Sequence, residues 1–116
     1  MQLHDVSDVP QILSRQRRGQ TWVIALGGDL TAETLQPVRS VCQEAARDGK
    51  ALVVDAKAVA SADRSVLDLL MRLQDETVLV LAAPSASVQA MLEGTDHPVP
   101  VLSSASLGEA LDVVGA

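Results

Sequence analysis

Hydrophobic positions along the chain fall into two patterns, continuous aliphatic runs and runs with a three- to four-residue repeat. The continuous runs, at residues 21–26, 51–55 and 77–82, are typical of central strands that are covered on both faces of a sheet. The repeats place apolar side chains on one face of a helix. They predict helices at residues 34–48, 64–74, 84–93 and 106–114, with Gly49 and Gly94 ending the first and the third.

Two weaker strands are predicted near the ends of the chain. Residues 11–15 predict a short edge strand that turns at residues 19–20 into the first aliphatic run, and residues 27–29 (Gly-Gly-Asp) are predicted to end that run. Residues 99–102 predict a last edge strand, because Pro100 has no amide to donate to a sheet.

The resulting order, β-β-α-β-α-β-α-β-α, predicts a fold of the α/β class. Strands that alternate with helices favour parallel pairing through right-handed crossovers. We expect a single domain over residues 1–116, in which about four helices pack on a mixed, mostly parallel sheet of about five strands. Residues 1–20 have the weakest hydrophobic pattern of the chain, and this segment contains the first predicted edge strand.

Composition and charge exclude a nucleic-acid partner. Fifteen acidic residues against nine basic ones give a net charge of −6, which phosphate backbones repel. Base-stacking aromatic residues are missing, since the chain has one Trp and no Phe or Tyr. The basic run Arg15-Gln16-Arg17-Arg18 is either a solvated hairpin turn or a contact patch for an acidic partner.

The single cysteine, Cys42, excludes an internal disulfide and a cysteine-based zinc site. It lies on the apolar face of the first predicted helix, where we expect a buried structural thiol. The first residues lack the charged and apolar regions of a signal peptide, and no apolar run approaches the roughly 20 residues of a membrane span. These features predict a cytoplasmic protein without direct membrane insertion.

The most informative motif is residues 61–70, which follow the second aliphatic run at short range. Asp63 is expected to cap the helix by accepting an amide hydrogen bond from Ser65 or Val66. Arg64 stands between the acid and the hydroxyl residue. Because a cation in the first turn opposes the helix dipole, Arg64 predicts either solvent exposure or a partner carboxylate.

Acidic residues near this helix start have more than one interpretation. Asp29 either satisfies turn amides or pairs with Arg64. Asp29, Asp55 and Asp63 together would imitate a magnesium site, although we expect ordinary strand-end and capping roles for them and no metal.

The remaining side chains favour protein contact over catalysis. His4 and His97 lack the spacing of a metal site or a catalytic triad, and the chain has no nucleophile-elbow or phosphate-loop sequence. We therefore expect neither enzyme activity nor a cofactor. The helix after the capping aspartate is apolar on most sides. Core burial explains most of this excess, and the alternative is that Met71 or Leu67 stays exposed as an anchor for a partner.

The order and spacing of these segments resemble the STAS domain, the family of sulfate-transporter tails and anti-sigma factor antagonists. Residues 28–30 resemble its Gly-acid-Leu-Asp turn, residues 52–55 its Val-Val-Leu-Asp strand, and residues 62–67 its Ile-Asp-Ser-Ser-Gly-Leu site. The likeness extends from about Trp22 to Leu111, most of the chain.

The resemblance implies a switch that this chain alters. In the family, the first serine after the aspartate is phosphorylated by an anti-sigma factor that is also a kinase, and the unmodified domain binds that kinase and frees a sigma factor. Here Asp63 aligns with the aspartate and Arg64 takes the place of the phospho-acceptor. Three interpretations stay open: a permanently active antagonist, phosphorylation of Ser65 or Ser61 instead, or an assembly that never used the switch.

The resemblance also implies a docking surface and a partner. The surface comprises Gly28, Asp29, Leu30, Asp63, Arg64, Ser65 and Leu67. The leading expectation is an anti-sigma factor and serine kinase with a histidine-kinase-like ATPase fold. The alternative is the ATPase of a bacterial lipid-trafficking ABC transporter, which some small STAS proteins bind. Self-association as a homodimer stays open.

Overall fold

A five-stranded sheet is the framework of the protein, and the computed structural model describes residues 11–94 and 101–115. The elements in chain order are β1 (Ile12–Arg18), β2 (Thr21–Leu30), α1 (Leu35–Asp48), β3 (Ala51–Ala62), α2 (Arg64–Glu76), β4 (Val78–Ala82), α3 (Ala86–Glu93), β5 (Leu102–Ser104) and α4 (Leu107–Val114). The strands lie in the order β1-β2-β3-β4-β5, with β1 antiparallel to β2 and all other neighbours parallel. The predicted α/β class and the mixed, mostly parallel sheet are confirmed.

The helices begin and end near the predicted residues because local side chains encode their caps. Asp63, Ser85 and Ser106 precede α2, α3 and α4, and each side chain accepts a hydrogen bond from an amide of the following turn. Gly49 and Gly94 follow α1 and α3, as their spacing predicted. These caps fix where each helix leaves the sheet.

β2 and β3 are longer than the hydrophobic pattern indicated. The prediction that residues 27–29 end β2 is wrong, because β2 continues through them to Leu30 and its pairing with β3 shifts register at two points within residues 25–29. Gly28 has a φ of 75°, a left-handed conformation that glycine adopts without a Cβ clash. Such irregularities bend a strand without ending it. As a result, β3 extends to Ala62, beside the start of α2.

Two hydrophobic cores of unequal size cover the two faces of the sheet. Side chains of α1, α2 and α3 pack on the larger core, which includes Ile24, Leu52, Val54 and Leu81. The smaller core lies beneath α4 and comprises Val23, Val53, Val80, Ala82 and Ala110. Successive strand residues point to opposite faces, so the aliphatic runs of β2, β3 and β4 supply both cores.

Cys42 lies inside the larger core and is 0% exposed. Desolvation by burial raises the pKa of its thiol to about 12. The thiol therefore stays protonated at neutral pH and is a poor nucleophile. The prediction of a buried structural thiol is confirmed.

A cluster of polar and aromatic side chains, Arg15, Arg17, Trp22 and Asp48, ties the β1–β2 hairpin to the end of α1; we call it the hairpin corner. The Trp22 Nε1–H donates to Asp48 Oδ2 over 2.9 Å, and the Arg17 guanidinium donates to the same oxygen over 3.1 Å. The guanidinium carbons of Arg15 and Arg17 lie 6.0 and 5.8 Å from the centre of the indole ring. The basic run is thus exposed but lies along β1, and Arg17 holds a defined position.

Gly49 allows the close approach on which this corner depends. A Cβ at Gly49 would lie 2.7 Å from the carbonyl oxygen of Gln20 and 3.1 Å from Cδ1 of Trp22. The same carbonyl accepts a hydrogen bond from the Lys50 amide over 2.7 Å. A side chain at Gly49 would therefore force the hairpin away from the end of α1.

Some predicted features lie outside the described residues. These are His4, His97 and residues 99 and 100 of the predicted last strand; β5 itself begins at Leu102 and ends at Ser104. Over residues 11–94 and 101–115, no helix is long and apolar enough to cross a membrane.

Candidate protein-interaction site

Asp63 joins the start of α2 to the loop that follows β2. Its backbone is extended, with φ −108° and ψ −175°, and its Oδ1 accepts the Ser65 amide over 2.9 Å. Its Oδ2 accepts the Ala32 amide over 3.1 Å, and its own amide donates to the Leu30 carbonyl over 3.1 Å. Ser65 is therefore confirmed as the residue capped by the side chain, whereas the bond to Ala32 was not foreseen.

The hydrogen bonds around Asp63 also set its charge. A hydrogen bond from the Ser65 side chain is the largest cause that lowers the pKa of the Asp63 carboxyl. Desolvation opposes it, and the backbone amides of Ser65 and Ala32 lower the pKa further. Hydrogen bonds donated to a carboxylate favour its ionised form. Asp63 is consequently an anion at neutral pH whose two oxygens are both occupied by backbone amides.

Asp29 fixes the neighbouring ends of β2 and β3. Asp29 pairs with Ser61 in the register of the two strands, and the Ser61 hydroxyl donates to Asp29 Oδ1 over 2.7 Å. The Thr34 hydroxyl donates to the Asp29 backbone carbonyl over 2.8 Å. The proposed Asp29–Arg64 pair does not form, since the ion pairs among the described residues are Arg17–Asp48 and Arg47–Glu76.

The three acidic residues considered for a metal do not assemble. Asp55 is buried within β3, not at its end, and its Oδ1 accepts the Lys57 amide over 3.2 Å. Asp29 and Asp63 are committed to Ser61 and to backbone amides, as described above. In the part of the chain that the structure describes, no three His, Cys, Asp or Glu side chains group closely enough to hold a metal ion.

Arg64 is the first residue of α2 and is exposed. Within residues 11–94 and 101–115 it forms no ion pair. The other solvent-accessible residues of the predicted surface are Gly28, Asp29 and Asp63, which are exposed, and Ser65, which is half-buried. Together these residues present a polar surface on which Arg64 has no ion pair with any described residue; we call it the docking surface.

The apolar members of the predicted surface lie beneath it. Leu30 is 1% exposed and Leu67 is 4% exposed, so neither offers a side chain to solvent. The suggestion of Leu67 as an exposed anchor is wrong, because its side chain is buried. Met71, one turn further along, is 47% exposed and is available to a partner.

A groove between α2 and α3 adjoins the docking surface. It has a volume of about 300 Å³ and is lined by Ala62, Asp63, Arg64, Leu67, Ala90, Met91 and Gly94. We call it the α2–α3 groove. The sequence analysis did not predict that α3 residues line this groove. The spacing of apolar residues around Met91 predicts a helix, but it does not predict that this helix lies beside α2.

A comparison with protein-family models finds a match over residues 13–97 to the family described as "Mlab, STAS domain". The chain belongs to the STAS domain family. The match includes the docking surface and most of the sheet, so the site described above lies within the recognised part of this STAS domain.

Solved structures of anti-sigma factor antagonists share the fold of this STAS domain. Unphosphorylated SpoIIAA, a Bacillus protein, has a TM-score of 0.72 and 19% identity, covering 88% of this chain and 95% of that one. The antagonist from Mycobacterium paratuberculosis has a TM-score of 0.73 and 21% identity, covering 90% and 93%. A STAS domain protein from Planctomyces limnophilus has a TM-score of 0.73 and 17% identity, covering 90% and 98%. A comparison with curated proteins finds no match.

Proposed function

We propose that this STAS domain is a non-enzymatic protein-interaction module that acts as an anti-sigma factor antagonist in the cytoplasm. Its partner is an anti-sigma factor with a histidine-kinase-like ATPase fold. Support comes from the family membership and from the shared fold of proteins described as anti-sigma factor antagonists. The docking surface, with Asp63, Arg64 and Ser65 at the start of α2, provides the contact.

The observation that carries the proposal is the position and environment of Arg64. It follows a capping aspartate, opens an exposed helix start, and has no ion-pair partner among the described residues. By resemblance this position is that of the phospho-acceptor serine. Arginine has no hydroxyl to phosphorylate and keeps its charge at neutral pH. Docking by this chain is therefore not switched off by a phosphate at the usual position.

The physical effect of the missing switch is large. A phosphoserine would bring roughly −1.5 to −2 charges and a hydration shell into the interface. Arg64 instead presents a constant positive charge there. The unmodified and binding-competent state of the family is thus the permanent state of this chain.

The two nearby serines are not the switch in this proposal. Ser61 already donates its hydroxyl to Asp29 over 2.7 Å, within the pairing of β2 and β3. Ser65 lies in the first turn of α2, where its amide is held by Asp63. A phosphate on Ser61 would have to break the bond to Asp29 and would lie against a second anion.

Affinity capture from the native lysate tests the partner. We expect the wild-type protein and a Cys42→Ser control to recover an ATPase of the histidine-kinase-like fold, and the Arg64→Glu variant to recover much less. Equal recovery by all three would remove the docking surface from the proposal. Recovery of no such ATPase by any variant would remove the function itself.

Incubation of the captured kinase with ATP tests the missing switch. Intact-mass spectrometry should show no phosphoryl group on the wild type, whereas Arg64→Ser should gain one and lose affinity. A phosphoryl group on wild-type Ser65 or Ser61 would contradict the assignment of a permanently active antagonist.

The description of the matched family favours a second candidate. The family model is named for Mlab and not for anti-sigma factor antagonists. The alternative is a STAS subunit of a bacterial lipid-trafficking ABC transporter that binds the transporter ATPase. The same capture separates the two, because this candidate predicts a stable stoichiometric complex with a transporter ATPase that ATP-dependent phosphorylation does not affect.

A further inference from the structure

We propose that the α2–α3 groove receives a branched aliphatic side chain of the partner, while Arg64 at its rim binds a carboxylate on the same partner segment. The inference rests on the proposed function and deepens it, since it states which chemistry on the partner is recognised. The occupant is a segment of the partner protein in which an acidic and an aliphatic side chain lie next to each other.

The groove combines apolar side chains with the charged residues Asp63 and Arg64. Leu67 is buried and Met91 is half-buried, and the alanines at 62 and 90 complete the apolar lining. Its volume of about 300 Å³ is at the lower limit of ligand pockets, which suits one or two side chains. Water over such a surface is released when an aliphatic side chain covers it, and this release favours binding.

The charge at the rim selects an acidic neighbour for that aliphatic side chain. Both oxygens of Asp63 accept backbone amides, and the structure records no ion pair of Arg64 within residues 11–94 and 101–115. An exposed guanidinium in this position can bind a partner carboxylate through two parallel hydrogen bonds. A neutral or basic partner residue would leave the cation unmatched at the interface.

A second groove supplies an internal comparison. It lies at the opposite end of the sheet, is about 780 Å³ in volume, and is flanked by Arg18 and Lys50 next to Val78 and Val113. It also combines cations with apolar residues, but it is wider and is formed mainly by the hairpin turn and the end of α4. A probe that recognises only charge and hydrophobicity would bind there as well.

The experiment is a titration of the ¹⁵N-labelled protein with 4-methylpentanoate, a fragment that joins a branched aliphatic chain to a carboxylate. Its neutral analogue 4-methylpentanamide and acetate are the controls. We expect saturable amide shifts at residues 63–67 and 90–94, with the acid binding about fivefold more tightly than the amide, as an exposed ion pair allows. Arg64→Gln should abolish this preference, and Arg72→Gln, an exposed arginine of α2 that does not line the groove, should keep it.

Several results would overturn the inference: equal binding of acid and amide, shifts centred on Arg18 and Lys50, no saturable shift, or an unchanged preference in Arg64→Gln. The proposed function fails separately. If the fragment binds as expected but lysate capture recovers no ATPase, the groove assignment holds and the partner class is wrong. If capture recovers the ATPase and the fragment does not select the groove, the partner class holds and this recognition chemistry is wrong.

Discussion

The hairpin corner and the docking surface each contain an exposed arginine, and the two arginines have opposite environments. Arg17 donates to Gly19 and Asp48 and lies over the ring of Trp22. Arg64 has no ion pair in the described part of the chain and borders a groove. An arginine that is paired within the chain contributes to the fold, whereas an exposed arginine beside a groove can pair with a partner. Changes at the corner should thus alter stability, and changes at Arg64 should alter binding.

Replacing Trp22 should give the largest effect on stability. Trp22→Ala removes a half-buried ring together with its bond to Asp48, and we expect the free energy of unfolding to fall by about 3 kcal/mol. Trp22→Phe keeps a ring but not the N–H donor, so it should cost about 1 kcal/mol. Urea denaturation followed by circular dichroism measures both. If Trp22→Ala unfolds the chain altogether, Trp22→Phe still tests the corner, and a loss of partner binding in folded Trp22→Phe would erase the contrast between the two regions.

Replacing Asp63 should lower stability although this residue belongs to the docking surface, because its side chain caps α2. Asp63→Ala removes the cap of α2 and the link to Ala32, and we expect a loss of about 1–2 kcal/mol. The pKa of Asp63 is lowered in the folded state from its ordinary 3.8, so its contribution is fully present above that value and is lost as the pH falls through the lower folded value. The stability difference between wild type and Asp63→Ala should therefore shrink below about pH 4. A difference that stays constant down to pH 2 would show that the carboxylate charge plays no part.

Replacing Arg17 should have a smaller effect that is confined to stability. Arg17→Gln loses one exposed ion pair and one contact with the indole ring, and we expect a cost of about 1 kcal/mol. Added salt should reduce this cost because it screens the exposed pair. Thermal unfolding at low and high salt measures the change, and recovery of the partner should equal that of the wild type.

Replacing Arg64 should have the smallest effect on stability, and of opposite sign. Arg64→Glu places an acidic side chain in the first turn of α2, where it suits the helix dipole, and should raise the free energy of unfolding by about 0.5 kcal/mol. The same substitution should weaken the complex at least tenfold in calorimetric titration, because it places like charges together. A variant that is less stable and binds normally would reverse the roles assigned to Arg17 and Arg64.

Local signals in the sequence were enough to predict the helices and most of the sheet. Ser85, Ser106 and Asp63 precede apolar repeats, and each acts as a cap through bonds to residues two or three positions away. Capping depends on near neighbours, so it can be predicted from a short window. The aliphatic runs likewise predicted β2, β3 and β4, because a strand covered on both faces needs apolar residues at every position.

The geometry of the site could not be predicted in this way. The bonds from Ala32 to Asp63 and from Ser61 to Asp29 join residues 31 and 32 positions apart, and no periodicity connects them. They depend on the register shifts with which β2 continues beyond Gly27 and Gly28. The hydrophobic pattern alone predicts that the strand ends at these glycines. Leu67 is buried and shares a groove with Ala90 and Met91 of α3, residues more than twenty positions away. The geometry of the site therefore depends on contacts between residues far apart in the sequence, which local patterns do not predict.

The position of the single aromatic residue has a consequence for optical measurements. Trp22 is eight residues from Leu30 along β2, or about 26 Å in an extended strand, so it lies at the far end of the sheet from the docking surface. Since the chain has no Tyr or Phe, its intrinsic fluorescence comes from this one indole. Its emission should change when the hairpin corner opens and stay constant when a non-fluorescent ligand occupies the α2–α3 groove. Fluorescence can thus follow unfolding in the presence of such a ligand without a signal from binding itself.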